Sequence, residues 1–264
     1  MTHAPPTVVG RVRAVLTGRA RPYTRPGFLS AARPSEGATA PSGGSATGTA
    51  VERGGFMSGI DKRPLAGAVA VGAEGLHGDE QGDTRVHGGP DKAVHVYPWA
   101  HYAVWQLELG ARPLLEAPGA FGENLSVDGL DEHSVCLGDA WSIGSARFVV
   151  SQGRQPCWKL SDRFGVPDMA RRVQASGRTG WYLRVLGTGS VSAGDAVLLA
   201  HRPHPGWPLA RIAALIDQRV CEPSALRELL ALPLPPSWRR LFERRLTQGL
   251  AEDWSARLEG QAPQ

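Results

Sequence analysis

Several short stretches before residue 207 alternate apolar and polar side chains, which is the pattern of half-buried β-strands. In VGRVRAVL, Val12, Ala14 and Leu16 alternate with Arg11 and Arg13. The segments VCLGDAWSI and VSAGDAVLL share a Gly-Asp turn followed by a short apolar run, and RFVVSQ and GWYLRVL add further strands. Strands separated by Gly-Asp turns at irregular spacing predict a mainly β protein built on a barrel, rather than a layered α/β domain.

Helical periodicity occurs at two places within this β-rich region. A run from Pro98 to Leu109 has its aromatic and aliphatic residues at helical spacing and stops at Gly110. A second run begins near Pro167 and ends at Gly177. We therefore predict two helices inserted among the strands.

The composition changes after Trp207, where three short amphipathic segments follow one another with proline-rich connections. The third is predicted to begin at Ser237, a typical helix N-cap residue, with Arg244 and Arg245 on a solvated face. Helices of this length are not stable alone, so they must pack on each other or on the barrel. The sequence predicts a β-barrel domain over residues 1–206 and a small three-helix domain over residues 207–264.

Residues 31–49 consist almost entirely of Ala, Gly, Ser, Thr and Pro. Such a composition buries too little apolar surface to offset the entropy lost on ordering. We predict that this segment is a mobile, dispensable insertion in the barrel domain.

Charge and cysteine content narrow the class of protein. The 29 basic and 25 acidic residues give a net charge of +4, too mild an excess to indicate nucleic-acid binding. Cys136, Cys157 and Cys221 are widely spaced without a CxxC pair, which excludes a disulfide framework. The sequence shows no signal peptide and no apolar run of the ~18 residues that a membrane span needs, so we expect a cytoplasmic protein.

Lysine is rare in this chain, whose other basic residues are arginines. Only Lys62, Lys92 and Lys159 occur. A surface lysine is readily replaced by arginine, whereas a compact ammonium group at a binding site is not. The three lysines are therefore candidate site residues.

Histidines cluster between residues 75 and 97, where His77, His87 and His95 lie close to Asp79 and Asp83. Their spacing matches no known zinc pattern, and no cysteine is nearby. We interpret each as a turn histidine hydrogen-bonded to its own loop.

Cys157 stands out by its neighbours in SQGRQPCWKLSDRF. Arg154 and Lys159 favour the thiolate over the thiol, and Pro156 restricts the backbone just before it. A thiolate is a soft metal ligand or a nucleophile. The residues alone indicate an anion-binding site with a reactive or ligating thiol, while Cys136 and Cys221 are expected to be structural.

Six motifs in order extend this interpretation: SGIDKRP, GLHGDEQGD…HGGPDKAVHVYP, GAFGENLSVDGL, VCLGD, SQGRQPCWKLSDRF and GRTGWYLRVL. Together they resemble the YiiM type of the MOSC domain, the family of the molybdenum cofactor sulfurase C-terminal domain. The resemblance covers residues 8–203, and the tail is similar to the three-helix domain appended in that type.

The resemblance implies a β-barrel with strands of mixed direction that binds molybdenum cofactor (Mo-molybdopterin). It implies that Cys157 is the molybdenum ligand and the catalytic residue, that Lys62 and Arg63 lie near the cofactor phosphate, and that the polar residues around the pterin include His87. The full set of cofactor-binding residues predicted in this way is Lys62, Arg63, His87, Asn124, Ser151, Arg154 and Lys159.

The reaction implied by the resemblance is reduction of small N-hydroxylated compounds, such as 6-hydroxylaminopurine, which detoxifies these base analogues. The chain has no flavin or nicotinamide motif, so a separate electron-donor reductase is expected. Two alternatives stay open: a sulfur or cofactor carrier with a persulfide on Cys157, and a cofactor-storage module whose tail docks a partner. The sequence also leaves a homodimer open.

Overall fold

The computed structural model describes residues 5–23, 56–82 and 88–260. The insertion at 31–49 and His87 therefore lie outside the described residues. In chain order, the strands are β1 Thr7–Thr17, β2 Arg21–Tyr23, β3 Phe56–Ser58, β4 Arg63–Pro64, β5 Val69–Gly72, β6 Gly75–Leu76, β7 Val94–Pro98, β8 Leu125–Asp128, β9 Ala140–Ile143, β10 Ala146–Gly153, β11 Trp181–Gly187, β12 Gly189–Val191 and β13 Ala196–His201. The helices are α1 Ala100–Leu109, α2 Lys159–Phe164, α3 Met169–Ser176, α4 Leu209–Asp217, α5 Pro223–Leu230, α6 Pro236–Gln248 and α7 Ser255–Leu258.

Seven of the strands close into a barrel in the order β13-β9-β10-β11-β7-β8-β1, and β1 pairs again with β13. The pairs are antiparallel except β7 with β8, which run parallel. The β-barrel with strands of mixed direction is thus confirmed. The two strands that follow Gly-Asp turns, β9 and β13, are neighbours, and Val197 lies opposite Ile143.

The two helices expected among the strands are present. Helix α1 ends at Gly110 and α3 ends at Gly177, which is left-handed. They bury Tyr102, Trp105, Met169 and Val173 in a second hydrophobic cluster beside the main core. Helix α2, which begins two residues after Cys157, was not expected, because six residues are too few to show a helical period.

The helical tail shares its core with the barrel. Ile212, Trp238 and Phe242 belong to the same hydrophobic cluster as Val150 of β10. The prediction that Ser237 is the N-cap of α6 is wrong, because Pro235 occupies that position. The Ser237 hydroxyl instead contacts Gln152 Oε1 at 3.3 Å. No helix in the described ranges is long and apolar enough to cross a bilayer.

Arg245 corrects the expectation of a solvated face, because its side chain is 0% exposed. The guanidinium group donates to both carboxylate oxygens of Glu252, at 2.9 and 3.0 Å. It also donates to the carbonyl oxygens of Leu215, Ile216 and Val220 at and beyond the end of α4. Arg245 therefore supplies partners for carbonyls that the end of a helix leaves without intrahelical bonds.

We predict that Arg245→Met destabilises the fold by about 3–5 kcal/mol, because it leaves a half-buried carboxylate and several carbonyls without their donor. Denaturant unfolding followed by circular dichroism measures the loss. The neighbouring Arg244 is exposed, so Arg244→Met should change the free energy of unfolding by no more than about 0.5 kcal/mol. Equal effects of the two substitutions would contradict this account.

Candidate functional site

A pocket opens where several loops meet beside strands β7 and β11. Its empty volume is about 590 Å³, including the open mouth. The walls come from β3 and the segment after it, the segment after β6, Lys92 before β7 and His95 within it, the turn before β8, the loop from β10 into α2, and one residue of β11, Tyr182. Cys157 lies on this wall, half-buried, and all three cysteines of the chain are outside disulfides.

Positive side chains are concentrated in the pocket. All three lysines of the chain, Lys62, Lys92 and Lys159, line it together with Arg154. Lys159 Nζ donates to the carbonyl of Met57 at 3.3 Å, which ties α2 to β3. The arrangement favours an anionic ligand beside the thiol.

Lys62 is buried against Asp79, whose two carboxylate oxygens it contacts. Burial lowers the pKa of Lys62, and the charges of Asp79 and Glu123 oppose that shift. Asp79 also accepts the backbone N–H of Gly18 at 2.9 Å. The pair therefore links the end of β1 to the pocket wall as well as supplying a cation.

Two buried polar atoms of the pocket have no hydrogen-bond partner among the described residues: Nε2 of His95 and Nη1 of Arg154. Burial, followed by the charge of Arg154, lowers the pKa of His95 well below its ordinary value, so its imidazole is neutral at pH 7. Unpaired buried polar atoms are costly. Both side chains line the pocket, where a ligand would supply the missing partners.

The environment of Cys157 combines a local turn with side chains that are distant in sequence. The carbonyl of Cys157 accepts from Leu160 N at 3.0 Å, which places the thiol in the turn that enters α2. Burial lowers the pKa of Lys92, and attraction to Asp91 and Cys157 raises it in opposition. Burial raises the pKa of Tyr182, so its hydroxyl keeps its proton at neutral pH.

Asn124 lines the pocket, but its amide is bound to backbone. Its Oδ1 accepts from the N–H of His95 at 3.0 Å, and its Nδ2 donates to the carbonyl of Leu16 at 3.2 Å. Asn124 thus joins β1, β7 and the turn before β8. Its predicted contact with a cofactor stays a prediction.

Two other predicted site residues, Arg63 and Ser151, lie elsewhere. Arg63 is in an exposed part of the chain, bonded to Asp61 at 3.1 Å, and it lines a separate outer groove. It faces away from Lys62 because successive side chains of an extended segment point to opposite sides. The Ser151 hydroxyl lies 2.6 Å from the carbonyl of Asp91 and 3.0 Å from that of Tyr182, so it binds backbone behind the pocket.

Histidine is where the sequence interpretation missed a pocket residue. His95 lies within strand β7 rather than in a turn, and it lines the pocket that contains Cys157. His77 lines the separate outer groove, so the two histidines do not share a site. Within the described residues, no group of three or more His, Cys, Asp or Glu could hold a metal ion. The sequence does contain a signal for His95, because it is a polar residue inside the apolar run AVHVYP. Nothing in the sequence marks Tyr182 as a pocket residue.

Known proteins match this chain over both of its parts. Residues 83–198 match the MOSC domain, and residues 207–249 match the YiiM-like 3-alpha helix domain. The protein YiiM of Escherichia coli is 38% identical over 218 residues, which are 78% of this chain and 92% of that protein. This chain belongs to the YiiM type of the MOSC family. MOSC domains are associated with molybdenum-cofactor binding.

Further relatives extend the comparison. The crystal structure of YiiM from Escherichia coli superimposes with a TM-score of 0.67 at 35% identity, covering 74% of this chain and 93% of that one. The uncharacterized protein YflK of Bacillus subtilis is 44% identical over 70% of this chain and 83% of its own length. A protein of Gibberella moniliformis named "Reductase" is 36% identical over 72% of this chain, which spans only 34% of that protein.

We predict that Gly122→Ala distorts the turn that carries Asn124. Gly122 has φ +72°, and a Cβ there would lie 2.8 Å from Cγ1 of Ile60, which also lines the pocket. The variant should lose about 1–2 kcal/mol for the left-handed backbone and a further amount for the clash. Gly165, with φ +62° and no atom of the described residues within 4 Å of its Cβ position, is the matched control. Thermal unfolding of both variants checks this; a loss for Gly122→Ala no greater than for Gly165→Ala would contradict it.

Proposed function

We propose that the chain is a molybdenum-cofactor-dependent reductase of small N-hydroxylated compounds, such as 6-hydroxylaminopurine, acting in the cytoplasm. The observation that carries the proposal is the thiol of Cys157 in a pocket whose described lining includes Lys62, Lys92, Lys159 and Arg154. Family membership and the relative named "Reductase" support the same class of activity.

The pocket residues fit molybdenum cofactor by their chemistry. A thiolate is a soft ligand for a transition metal, and ammonium and guanidinium groups bind phosphate. The unpaired Nε2 of His95 and Nη1 of Arg154 are polar atoms that a pterin or phosphate would satisfy. Lys62 and Lys159 would hold the anionic end, and Cys157 would bind the metal.

In the proposed reaction the N–O bond of the substrate breaks, two electrons and two protons are consumed, and the amine and water leave. The bound cofactor supplies the two-electron chemistry. Tyr182 and Lys92, both on the pocket wall, carry protons on Oη and Nζ and are candidates to deliver them. The half-enclosed pocket restricts water around the reacting bond.

Electrons would come from a separate reductase protein. A relative from Gibberella moniliformis is named "Reductase", and this chain spans only 34% of it. The rest of that protein leaves room for an electron-donating part, which supports a donor outside the present chain. Reduced viologen or dithionite can replace the natural donor in a test.

A carrier function is the second candidate. Cys157 is half-buried rather than enclosed, and a persulfide that is passed to another protein needs such access. Metal analysis and mass spectrometry of protein made in a cofactor-competent host separate the two. Stoichiometric molybdenum with turnover supports the reductase, whereas a persulfide on Cys157 without molybdenum supports the carrier.

We predict that Cys157→Ser abolishes reduction of 6-hydroxylaminopurine and leaves the fold intact, because a hydroxyl is a harder ligand of nearly the same size. Turnover with reduced viologen, metal content and a melting curve are measured together. Normal turnover in this variant would refute the role of Cys157.

The other two cysteines are the controls for that experiment. Cys136 is buried, so Cys136→Ala should cost stability through a small cavity while turnover per folded molecule is kept. Cys221→Ala should keep turnover as well.

We predict that Arg154→Met weakens cofactor retention, whereas Arg63→Met does not. A hydrogen bond from a charged group is worth about 1.5–3 kcal/mol, or roughly 10- to 150-fold in affinity. Arg154 lines the pocket, and Arg63 is directed into the outer groove. Molybdenum content after gel filtration decides the matter. If Arg63→Met lost molybdenum and Arg154→Met kept it, the assignment of Arg154 rather than Arg63 to the cofactor would be wrong.

A further inference from the structure

The short helix α7, near the end of the described chain, lies against the turn that carries Cys157. Arg257 Nη1 donates to the carbonyl of Pro156 at 2.6 Å, and the N–H of Trp158 donates to the carbonyl of Arg257 at 2.8 Å. Pro156 and Trp158 are the two neighbours of Cys157. One residue of the tail thus binds the chain immediately before and immediately after the thiol.

Arg257 is itself held in place from two sides. Its Nη2 donates to Oε1 of Gln174, a buried residue of α3. Earlier in the tail, Trp254 Nε1 donates to Oε1 of Glu252 at 2.7 Å, and Glu252 is the partner of buried Arg245. The N–H of Arg257 donates to the carbonyl of Trp254 at 3.0 Å, so a continuous set of contacts runs from the interior of α6 to the Cys157 turn.

Arginine suits this position better than lysine. Its planar fork donates at the same time to the Pro156 carbonyl and to Gln174, which a single ammonium on a flexible stem does less well. Burial lowers the pKa of Arg257 to about 10, against the attraction of Cys157 and Glu252, so the group keeps its charge at neutral pH. A fixed cation is therefore held beside the thiol.

We propose that Arg257 is a positioning residue that fixes the direction of the Cys157 thiol by bracketing its backbone. The match to the three-helix domain ends at residue 249, so Arg257 lies beyond it. Its consequence for catalysis rests on the proposed function, but the bracketing itself is a property of the cofactor-free chain. The two are tested separately.

The first experiment measures amide hydrogen exchange of cofactor-free protein. Arg257→Met keeps the aliphatic stem and the backbone bond to Trp158 but removes every side-chain donor, Arg257→Lys restores one donor group, and Arg171→Met is the control. Arg171 contacts Glu259 in the same tail, but it makes no hydrogen bond to the Cys157 turn.

In Arg257→Met, exchange at residues 157–160 should accelerate about tenfold, the equivalent of one lost hydrogen bond from a charged group. Strand β10 and helix α4 should exchange as in wild type, Arg257→Lys should recover part of the protection, and Arg171→Met should leave the turn unchanged. Wild-type exchange at residues 157–160 in Arg257→Met overturns the proposal. So does the same acceleration in Arg171→Met, or an equal acceleration throughout α4–α6, since either would mean general loosening.

The second experiment uses cofactor-loaded protein and the paramagnetic signal of partly reduced molybdenum. A thiol held in another direction shifts the g-values, whereas mere loss of folded protein lowers only the amplitude of the signal. Shifted g-values in Arg257→Met support the proposal, and unchanged g-values overturn its catalytic part. Absence of molybdenum from wild type would refute the proposed function, and the exchange measurement would then decide the role of Arg257 alone.

Discussion

Closure of the barrel by the pairing of β1 with β13 is the constraint on which the site depends. The strands form a ring, so the position of each strand end is fixed by hydrogen bonds on both sides. The pocket is built from segments at such ends, among them the turn before β8 and the loop after β10. The Asn124 side chain is hydrogen-bonded to the backbones of Leu16 in β1 and His95 in β7. The position of this part of the pocket wall is therefore fixed by two barrel strands.

The pocket concentrates positive charge that the chain compensates only in part. Lys62 has Asp79 as its partner, yet burial still lowers its pKa, and His95 and Arg154 each leave a polar atom unpaired among the described residues. Charged and polar groups without partners in a buried place lower the stability of the ligand-free fold. An anionic ligand would therefore both satisfy these groups and stabilise the protein by mass action.

Short-range patterns in the sequence predict much of the fold, because strand and helix periods are local properties. The strands after the two Gly-Asp turns and the helices ending at Gly110 and Gly177 all appear in the structure. Helices α2 and α7 have six and four residues, too few to show a period. The buried position of Arg245 depends on carbonyls of α4, about 30 residues away, and no local pattern contains that information.

Prediction of the site follows the same division between local and distant information. The scarcity of lysine pointed to three residues that do line the pocket, and the local charges around Cys157 pointed to the thiol. The sequence could not show that Arg63 turns away from Lys62, or that the structure brings Lys92 and Arg257 to Cys157. Such neighbours are set by the closed barrel and the packed tail.

The helical tail is physically continuous with the site rather than an appendage. One hydrophobic cluster contains residues of both the barrel and the tail, including Trp238, which lies over Gly153 at the end of β10. The chain then leads directly from Gly153 to the Cys157 turn, whose other side is bonded to Arg257. The segment carrying the thiol is thus held between a barrel strand and the tail, and any shift of the tail relative to the barrel must alter the backbone on which Cys157 is mounted.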